Sequence, residues 1–217
     1  MIPVRRRFII PAALLWGAGF QYFAMQVFVG LSSSKYSFLS NSISDLGNTG
    51  CGWFGGRFVC SAHPQLMNAS FIALGICVII GSLLFMFFYG LNKIKTRIGF
   101  GLMAVAGAGI IVVGLFPENL AHTVHFIGAD LTFLAGVLAI LIIGLGLKLT
   151  KRLRYYSLAT AFVVFIGLIL LVVHGSSWSG AGAAERTAAS CEILWLIIFG
   201  GYIFFSLLKR TRLWPTD

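Results

Sequence analysis

Charged residues are scarce in this sequence of 217 residues: 10% are Asp, Glu, Lys or Arg, whereas 59% are hydrophobic. Soluble globular domains carry about 25% charged residues. A single soluble core cannot bury so much apolar surface. The mean hydropathy of +0.95 therefore excludes an ordinary soluble domain and indicates a protein surrounded by lipid.

Cysteine is also rare, with four residues in the chain. This number is too small for a disulfide scaffold, and the spacing does not match a zinc ribbon. Phosphate-binding glycine motifs are lacking as well, since neither a P-loop nor a GxGxxG turn after a strand is present. The glycines of the run GFGLMAVAGAGIIVVG instead favour close packing of membrane helices.

The sequence contains six apolar runs, each long enough to cross about 30 Å of hydrocarbon. They cover residues 8–31, 66–91, 98–116, 121–147, 155–173 and 188–208. The first run exceeds a signal-peptide core and precedes no clear cleavage site, so we interpret it as a retained span. No repeat or linker divides residues 1–217. We predict one all-α integral membrane domain, a six-helix bundle with a long first loop at residues 32–65.

Basic residues cluster on one side of this predicted topology. Thirteen of the 16 Lys and Arg residues lie at the two termini and in the second and fourth connections. The positive-inside rule therefore predicts cytoplasmic N- and C-termini and an outer first loop. Four short clusters beside membrane ends form no continuous basic face, which argues against nucleic-acid binding. Anionic membrane lipids are their expected partners.

Titratable residues show the opposite distribution. Five of the six acidic residues and all four histidines fall in outer loops or in the outer halves of spans. These residues are Asp45, Glu118, Asp130, Glu185, Glu192, His63, His122, His125 and His174. Such groups are costly inside a membrane unless they are paired or functional. We therefore expect any functional site near the outer face.

The stretch FPENLAHTVHFIGAD, residues 116–130, begins the fourth span. Its histidines, His122 and His125, are three residues apart and share one helix face. One interpretation is a metal site, with zinc held by these two residues and His174. The other is an interfacial histidine pair that is hydrogen-bonded to loop backbone. The sequence leaves both open.

The long first loop supplies further polar residues. Its segment SNSISDLG either presents Ser44 and Asp45 to the histidines or forms a turn, for which Ser, Asn and Asp are suited. Farther along, Cys51 and Cys60 flank the run GWFGGRFV. A disulfide is chemically permitted on the outer side of a membrane, and we predict one here. Two free thiols are the alternative.

The sixth span begins after Glu185 and Arg186 in the predicted topology. Glu192 lies seven residues after Glu185, on the same helix face and about 10 Å deeper. An ionisable residue at that depth is usually paired or functional. Arg186 is interpreted either as the ion-pair partner of Glu185 or as a ligand of an anionic headgroup.

Three short motifs resemble the DUF998 family, a bacterial and archaeal family of six-span membrane proteins. They are SNSISDLG after the first span, FP before a histidine-bearing fourth span, and a small-residue loop ending in ER before a Trp-containing sixth span. The resemblance covers most of the chain and implies a prokaryotic cell membrane. It marks Ser44, Asp45, Gly47, Pro117, His125, Glu185, Arg186 and Trp195. The Cys-flanked insertion departs from the pattern, and the resemblance implies no activity.

These observations lead to three functional hypotheses. The first is a hydrolase for a lipid or lipid-linked substrate, with Asp45, His125 and Glu185 as catalytic residues. In this hypothesis Ser44, Arg186 and Glu192 bind the substrate, and zinc is the candidate cofactor. The second is a transporter of ions or small molecules. The third is a non-catalytic subunit of a membrane complex, in which the polar residues attach the loop to the bundle.

Overall fold

The computed structural model describes residues 4–89, 94–147, 149–175 and 178–208. Helices dominate this part of the chain. The seven α-helices are α1 (Val4–Gly17), α2 (Phe20–Ser32), α3 (Pro64–Phe88), α4 (Ile94–Leu115), α5 (His122–Gly146), α6 (Lys151–His174) and α7 (Ala181–Leu208). The first loop adds a 3-10 helix at Ser44–Gly47 and two short strands, β1 (Gly52–Phe54) and β2 (Arg57–Val59).

Six helical segments are long and apolar enough to cross a membrane, which confirms the predicted six-helix bundle. The first of them, Arg6–Ser32, contains both α1 and α2. Its helix is interrupted near Gly19, where the backbone changes to i→i−3 hydrogen bonds such as Gly19 N–H to the Trp16 carbonyl at 3.2 Å. A Cβ at Gly19 would approach Ile193 to 3.0 Å, so a glycine lets the interrupted span pack against α7.

The last helix begins earlier than predicted. We expected the sixth span at residue 188, but α7 starts at Ala181. The segment AGAAERT reads as loop because it is small and polar, yet Ala, Glu and Arg are good helix formers. Glu185 and Arg186 therefore lie within the first two turns of a helix.

The helices close into a ring in the order α1, α3, α4, α5, α6 and α7, and α7 packs back against α1. The guanidinium of Arg6 donates a hydrogen bond to the carbonyl of Leu207, so the start of α1 lies beside the end of α7. We call this side the terminal face. The opposite side carries residues 33–63 and 116–121, and we call it the loop face.

Glycines allow neighbouring helices of the ring to approach closely. A Cβ at Gly75 in α3 would lie 2.6 Å from the carbonyl oxygen of Gly107 in α4. A Cβ at Gly109 in α4 would lie 2.5 Å from the carbonyl oxygen of Gly128 in α5. Backbone contact of this kind is the packing mode that small residues support in membranes. Helices α3, α4 and α5 therefore form a tight wall of the ring.

Aromatic side chains fill the interior towards the terminal face. The aromatic cluster consists of Trp16, Phe85, Phe100, Trp195 and Phe199, each at most 1% exposed. Its rings are in direct contact, with centroids 4.7 Å apart for Trp16 and Phe85 and 4.9 Å apart for Trp195 and Phe199. The indole N–H of Trp195 donates to the hydroxyl of Ser157 at 2.9 Å, so its polar atom is satisfied.

The first loop contains a small hairpin that the sequence interpretation did not anticipate. Strands β1 and β2 pair antiparallel, with Gly52 opposite Val59. The turn between them uses Gly55 and Gly56 at φ of 53° and 80°, values that glycine adopts at no steric cost. The predicted disulfide between Cys51 and Cys60 is confirmed and closes the base of the hairpin.

Candidate functional site

A serine and a histidine meet at the loop face. Ser44 opens the 3-10 helix of the first loop, and His125 lies in the first turn of α5. The Nε2 atom of His125 is 2.9 Å from the Ser44 hydroxyl, and its Nδ1 atom is 2.8 Å from the carbonyl oxygen of Phe116. A carbonyl only accepts, so Nδ1 carries the hydrogen and Nε2 of the neutral ring accepts from Ser44.

The connection between α4 and α5 brings the carbonyl of Phe116 to the histidine. Pro117 ends α4 and is buried, and its carbonyl accepts from the N–H groups of Leu120 and Ala121, each at 3.0 Å. This tight turn reverses the chain within a few residues. The last carbonyl before the proline thereby faces the first turn of α5 and fixes the ring of His125, which is 3% exposed.

Asp45 contributes to the fold of the loop, in agreement with the second of the two interpretations of SNSISDLG. Its carboxylate is held by Arg57, with Nε at 2.6 Å and a terminal nitrogen at 2.8 Å. The N–H of Ser42 and the side-chain amide of Asn41 donate to the same carboxylate at 2.9 and 3.0 Å. Asp45 therefore fixes the fold of the loop, while the adjacent Ser44 contacts the histidine.

Arg57 is the important residue that the sequence interpretation missed. It projects from β2 and also lies 3.9 Å from the carboxylate of Glu118. Burial alone would lower the pKa of the Arg57 guanidinium, but the hydrogen bonds and charge of Asp45 outweigh it and raise that pKa. Burial, followed by the charge of Asp45, raises the pKa of Glu118. A sequence signal for Arg57 was available, because Arg57 is one of three lysine and arginine residues on the predicted outer side.

Glu185 lies on the other side of Ser44. One oxygen of its carboxylate accepts from the N–H of Ile43 at 3.0 Å. The other lies 3.5 Å from the Ser44 hydroxyl. Residues 43 and 44 are thus held between α5 and α7. The structure brings together Ser44, His125 and Glu185 from three separate segments of the chain.

Arg186 faces away from this group and fixes the start of the loop. One terminal nitrogen donates to the carbonyls of Phe38, Asn41 and Gly182 at 2.9, 2.6 and 3.0 Å. The other donates to the hydroxyl of Tyr36. Within the described ranges Arg186 forms no ion pair with Glu185, in contrast to one of the two expectations.

The histidines suggested as zinc ligands lie in separate places. The ring of His122 contacts Phe126 at a centroid distance of 4.5 Å, and that of His174 contacts Trp178 at 4.7 Å. Neither joins His125 in a cluster. The part of the chain that the structure describes contains no group of three or more His, Cys, Asp or Glu side chains able to hold a metal ion.

A cavity of about 50 Å³ begins at Ser44 and extends into the ring. Glu185 lies beside Ser44 at its wall, and Glu192 lies deeper on the same helix. The carboxyl of Glu192 fits against Gly136, where a Cβ would be 2.7 Å from one of its oxygens. The remaining lining residues are Tyr22, Ile43, Phe71, Leu74, Ile110, Val113, Ala129, Thr132, Phe133, Ala189 and Ile193.

Comparison with known proteins gives one family and no individual relative. The model of the family described as "Protein of unknown function (DUF998)" matches residues 16–202. The matched region includes the first loop, the turn at Pro117 and most of α7. No curated protein and no solved structure matches the chain.

Proposed function

Since the chain belongs to the DUF998 family, to which no reaction is assigned, we propose an activity from the site itself: hydrolysis of an acyl ester in a membrane lipid or lipid-linked molecule. The observation that carries this proposal is the hydrogen bond of 2.9 Å between Ser44 and Nε2 of His125. A hydroxyl bonded to an imidazole whose other nitrogen is fixed by a third group is the arrangement of an activated serine nucleophile.

The proposed reaction has two steps. The Ser44 hydroxyl transfers its proton to Nε2 of His125 as its oxygen attacks the ester carbonyl, and the carbon–oxygen bond to the alcohol breaks. The alcohol leaves with the proton from His125, so the acyl group remains on Ser44. Water then attacks the acyl-serine and gives its proton to His125. The bond between the acyl carbon and the Ser44 oxygen breaks, that oxygen takes the proton back from His125, and the free acid is released. Atoms and charges balance without any further reactant.

The remaining polar residues act as positioning residues in this proposal. Glu185 holds the backbone N–H of Ile43 and so fixes the segment that carries the nucleophile. Phe116 supplies the carbonyl that fixes the histidine ring. Arg57 and Asp45 stabilise the loop from the solvent side. Ile43, Phe71 and Val113 give the cavity apolar walls, which suit part of a lipid substrate better than a polar metabolite.

A fluorophosphonate probe tests the nucleophile in purified full-length protein, because it reacts covalently with activated serines. We expect one labelled peptide, containing Ser44, and loss of labelling in Ser44→Ala and His125→Ala. His122→Ala is the matched control, since His122 lies one turn away on α5 and contacts Phe126. Absence of label on Ser44 in correctly folded protein, or equal labelling of His125→Ala and His122→Ala, overturns the proposal.

The same activity requires an orientation in the membrane. We propose that the loop face lies outside a prokaryotic cell membrane and that both termini are cytoplasmic. The charge distribution of the sequence and the disulfide at the loop face support this orientation. Impermeant thiol reagents on intact cells, applied to cysteines placed at residues 35 and 151, test it. Labelling at 151 without labelling at 35 reverses the topology.

A non-catalytic subunit remains the second candidate, and one observation favours it. Several polar contacts of the site attach the loop to the bundle, as Arg186 does through the carbonyls of Phe38 and Asn41. This candidate predicts that Ser44→Ala lowers stability without abolishing any reaction. Transport has less support, because the aromatic cluster occupies the interior between Glu192 and the terminal face.

A further inference from the structure

The charge of the cavity distinguishes it from the rest of the bundle interior. In the described part of the chain, the charged side chains that line it are Glu185 and Glu192, and both are acidic. The lysine and arginine residues of the loop face are engaged elsewhere: Arg57 with Asp45, Arg186 with loop carbonyls, and Lys35 with the ring of Phe58. The cavity is thus an acidic compartment directly behind the proposed nucleophile.

Glu192 is the more informative of the two acids. It is 5% exposed, and its Oε1 atom has no hydrogen-bond partner among the residues that the structure describes. A buried carboxyl oxygen without a partner is costly. The carboxyl group fits against Gly136, a residue that has no side chain to donate a hydrogen bond to it. An acidic group aimed into a cavity indicates a ligand that donates to it.

The other polar atoms at the wall are hydroxyls. The Thr132 hydroxyl donates to the carbonyl of Gly128 at 2.9 Å, so its oxygen retains lone pairs that accept. The hydroxyl-bearing side chains of Ser44 and Tyr22 also line the space. Carboxylates and accepting hydroxyls together suit a small cation with several N–H donors. The volume of about 50 Å³ is sufficient for an ammonium group.

We propose that this cavity binds the ammonium group of the substrate, which is therefore an ester with an amine close to its scissile carbonyl, such as an aminoacyl ester of a lipid. The inference rests on the hydrolase function proposed above. Glu185 Oε1 lies 3.5 Å from the Ser44 hydroxyl. An ammonium bound to Glu185 thus lies within a few bonds of a carbonyl that Ser44 attacks, and Glu192 supplies the second acidic contact.

The first experiment measures cation binding without catalysis. Ethylammonium chloride is titrated into the purified full-length protein in detergent, with ethanol as the neutral control and tetraethylammonium as the oversized one. We expect saturable stabilisation against heat by ethylammonium alone. Glu192→Gln should weaken binding by about tenfold or more, because it removes one charge and preserves the shape. Glu118→Gln, an acid outside the cavity, should bind as the wild type does.

His125→Ala separates this inference from the hydrolase proposal. His125 contacts Ser44 but does not line the cavity, so the variant should bind ethylammonium normally while losing fluorophosphonate labelling. Absence of saturable binding, or equal binding by wild type and Glu192→Gln, overturns the ammonium site whatever the labelling shows. Normal binding in a protein whose Ser44 never reacts overturns the hydrolase and leaves a cation site.

The second experiment identifies the source of the amine. Alanyl and propionyl esters of the same diacylglycerol differ in one ammonium group and are presented in mixed micelles. We expect the wild type to cleave the alanyl ester at least about tenfold faster, and Glu192→Gln to lose that preference. Equal cleavage of both esters overturns the assignment of the amine to the substrate, even if ethylammonium binds.

Discussion

Different interactions stabilise the two halves of the bundle interior. Towards the loop face the chain places ionisable and hydroxyl side chains, and several depend on a specific partner, as Asp45 does on Arg57. Towards the terminal face it places five aromatic rings, and the described residues form no comparable network of ion pairs there. The half at the loop face is suited to a functional site, and the half at the terminal face is suited to stabilising the bundle. The bundle can therefore contain a cavity at the loop face, because the aromatic cluster supplies close packing elsewhere.

This difference has an energetic consequence. Buried charge pairs contribute little net stability when intact, but removing one partner is strongly destabilising because the other remains buried. Aromatic packing is spread over many contacts and requires no single partner. We therefore expect substitutions at the loop face to act locally and steeply. Substitutions in the aromatic cluster should act on the whole bundle.

The largest effect is expected for Arg57→Ala. It leaves the carboxylate of Asp45, which is 1% exposed, without its bidentate partner. The loss should be about 3–5 kcal/mol in the stability of the closed loop. Limited proteolysis of residues 33–63 measures it, because local opening exposes the loop before the helices separate.

Arg57→Lys is the matched variant. It retains the positive charge but not the planar fork, so its protease sensitivity should lie between those of the wild type and Arg57→Ala. Global thermal unfolding of the helices should change less than the loop does. An Arg57→Ala protein with a closed loop and wild-type protease resistance would contradict the claim that the loop face depends on specific charge partners.

Phe85→Ala tests the opposite half. Phe85 is fully buried and contacts the rings of Trp16 and Phe100 at centroid distances of 4.7 and 5.4 Å. Its truncation should lower the stability of the whole bundle by about 3 kcal/mol. Thermal unfolding in detergent, followed by circular dichroism, measures the change.

The loop and the nucleophile are the internal controls for Phe85→Ala. Well below the unfolding temperature, protease resistance of residues 33–63 and fluorophosphonate labelling of Ser44 should match the wild type. Selective loss of labelling in an otherwise folded Phe85→Ala protein would show that the two halves are coupled, and the division drawn above would fail.

The disulfide of the hairpin should have an intermediate effect. Cys51 and Cys60 are separated by nine positions, and a closed loop of this size contributes about 2.5 kcal/mol through the entropy of the open state. The double variant Cys51→Ser and Cys60→Ser should increase protease sensitivity of the loop less than Arg57→Ala does. The half-buried free cysteines Cys77 and Cys191 provide the control pair. Equal sensitivity of both double variants would contradict this prediction.

The sequence predicted the membrane fold from its long apolar runs. It predicted that titratable side chains gather at the loop face from their positions relative to those runs. The neighbour of His125 was not predictable in the same way. Ser44 and Asp45 are adjacent, and the 3-10 helix that begins at Ser44 determines which of them turns towards α5. That register depends on Arg57, which lies in the β1–β2 hairpin, twelve positions beyond Asp45 in the chain. Periodicity along one segment contains no information about such a partner.

The start of α7 shows a second limit. Hydropathy excluded residues 181–187 from the span because they are small and polar, yet they form a helix. The reason is tertiary: the N–H of Ala183 donates to the carbonyl of Leu39, and Arg186 is bound to the same loop. These contacts stabilise the helix end at the loop face. They also hold Glu185 beside Ser44. The sequence hypothesis assigned both residues to one site, but it did not predict this contact.

The smallest effect is expected for Glu118→Gln. Asp45 and Glu118 both lie near Arg57, and this variant compares their contributions to loop stability. Glu118 is 8% exposed, and its carboxylate is 3.9 Å from Arg57, beyond hydrogen-bond distance. Burial raises its pKa, so the folded protein binds its proton more tightly than the unfolded chain does. The stability that this group contributes is therefore present below the ordinary glutamate pKa and is lost as pH rises through the raised value. At pH 7 Glu118→Gln should leave loop stability unchanged or raise it by less than about 1 kcal/mol, and the difference should vanish near pH 4.

Asp45→Asn is the control and should destabilise the loop strongly at pH 7, because Asp45 directly accepts both bonds from Arg57. Protease protection of the loop across this pH range measures both variants. A loss above about 1 kcal/mol in Glu118→Gln at pH 7 would mean that Arg57 depends on both acids.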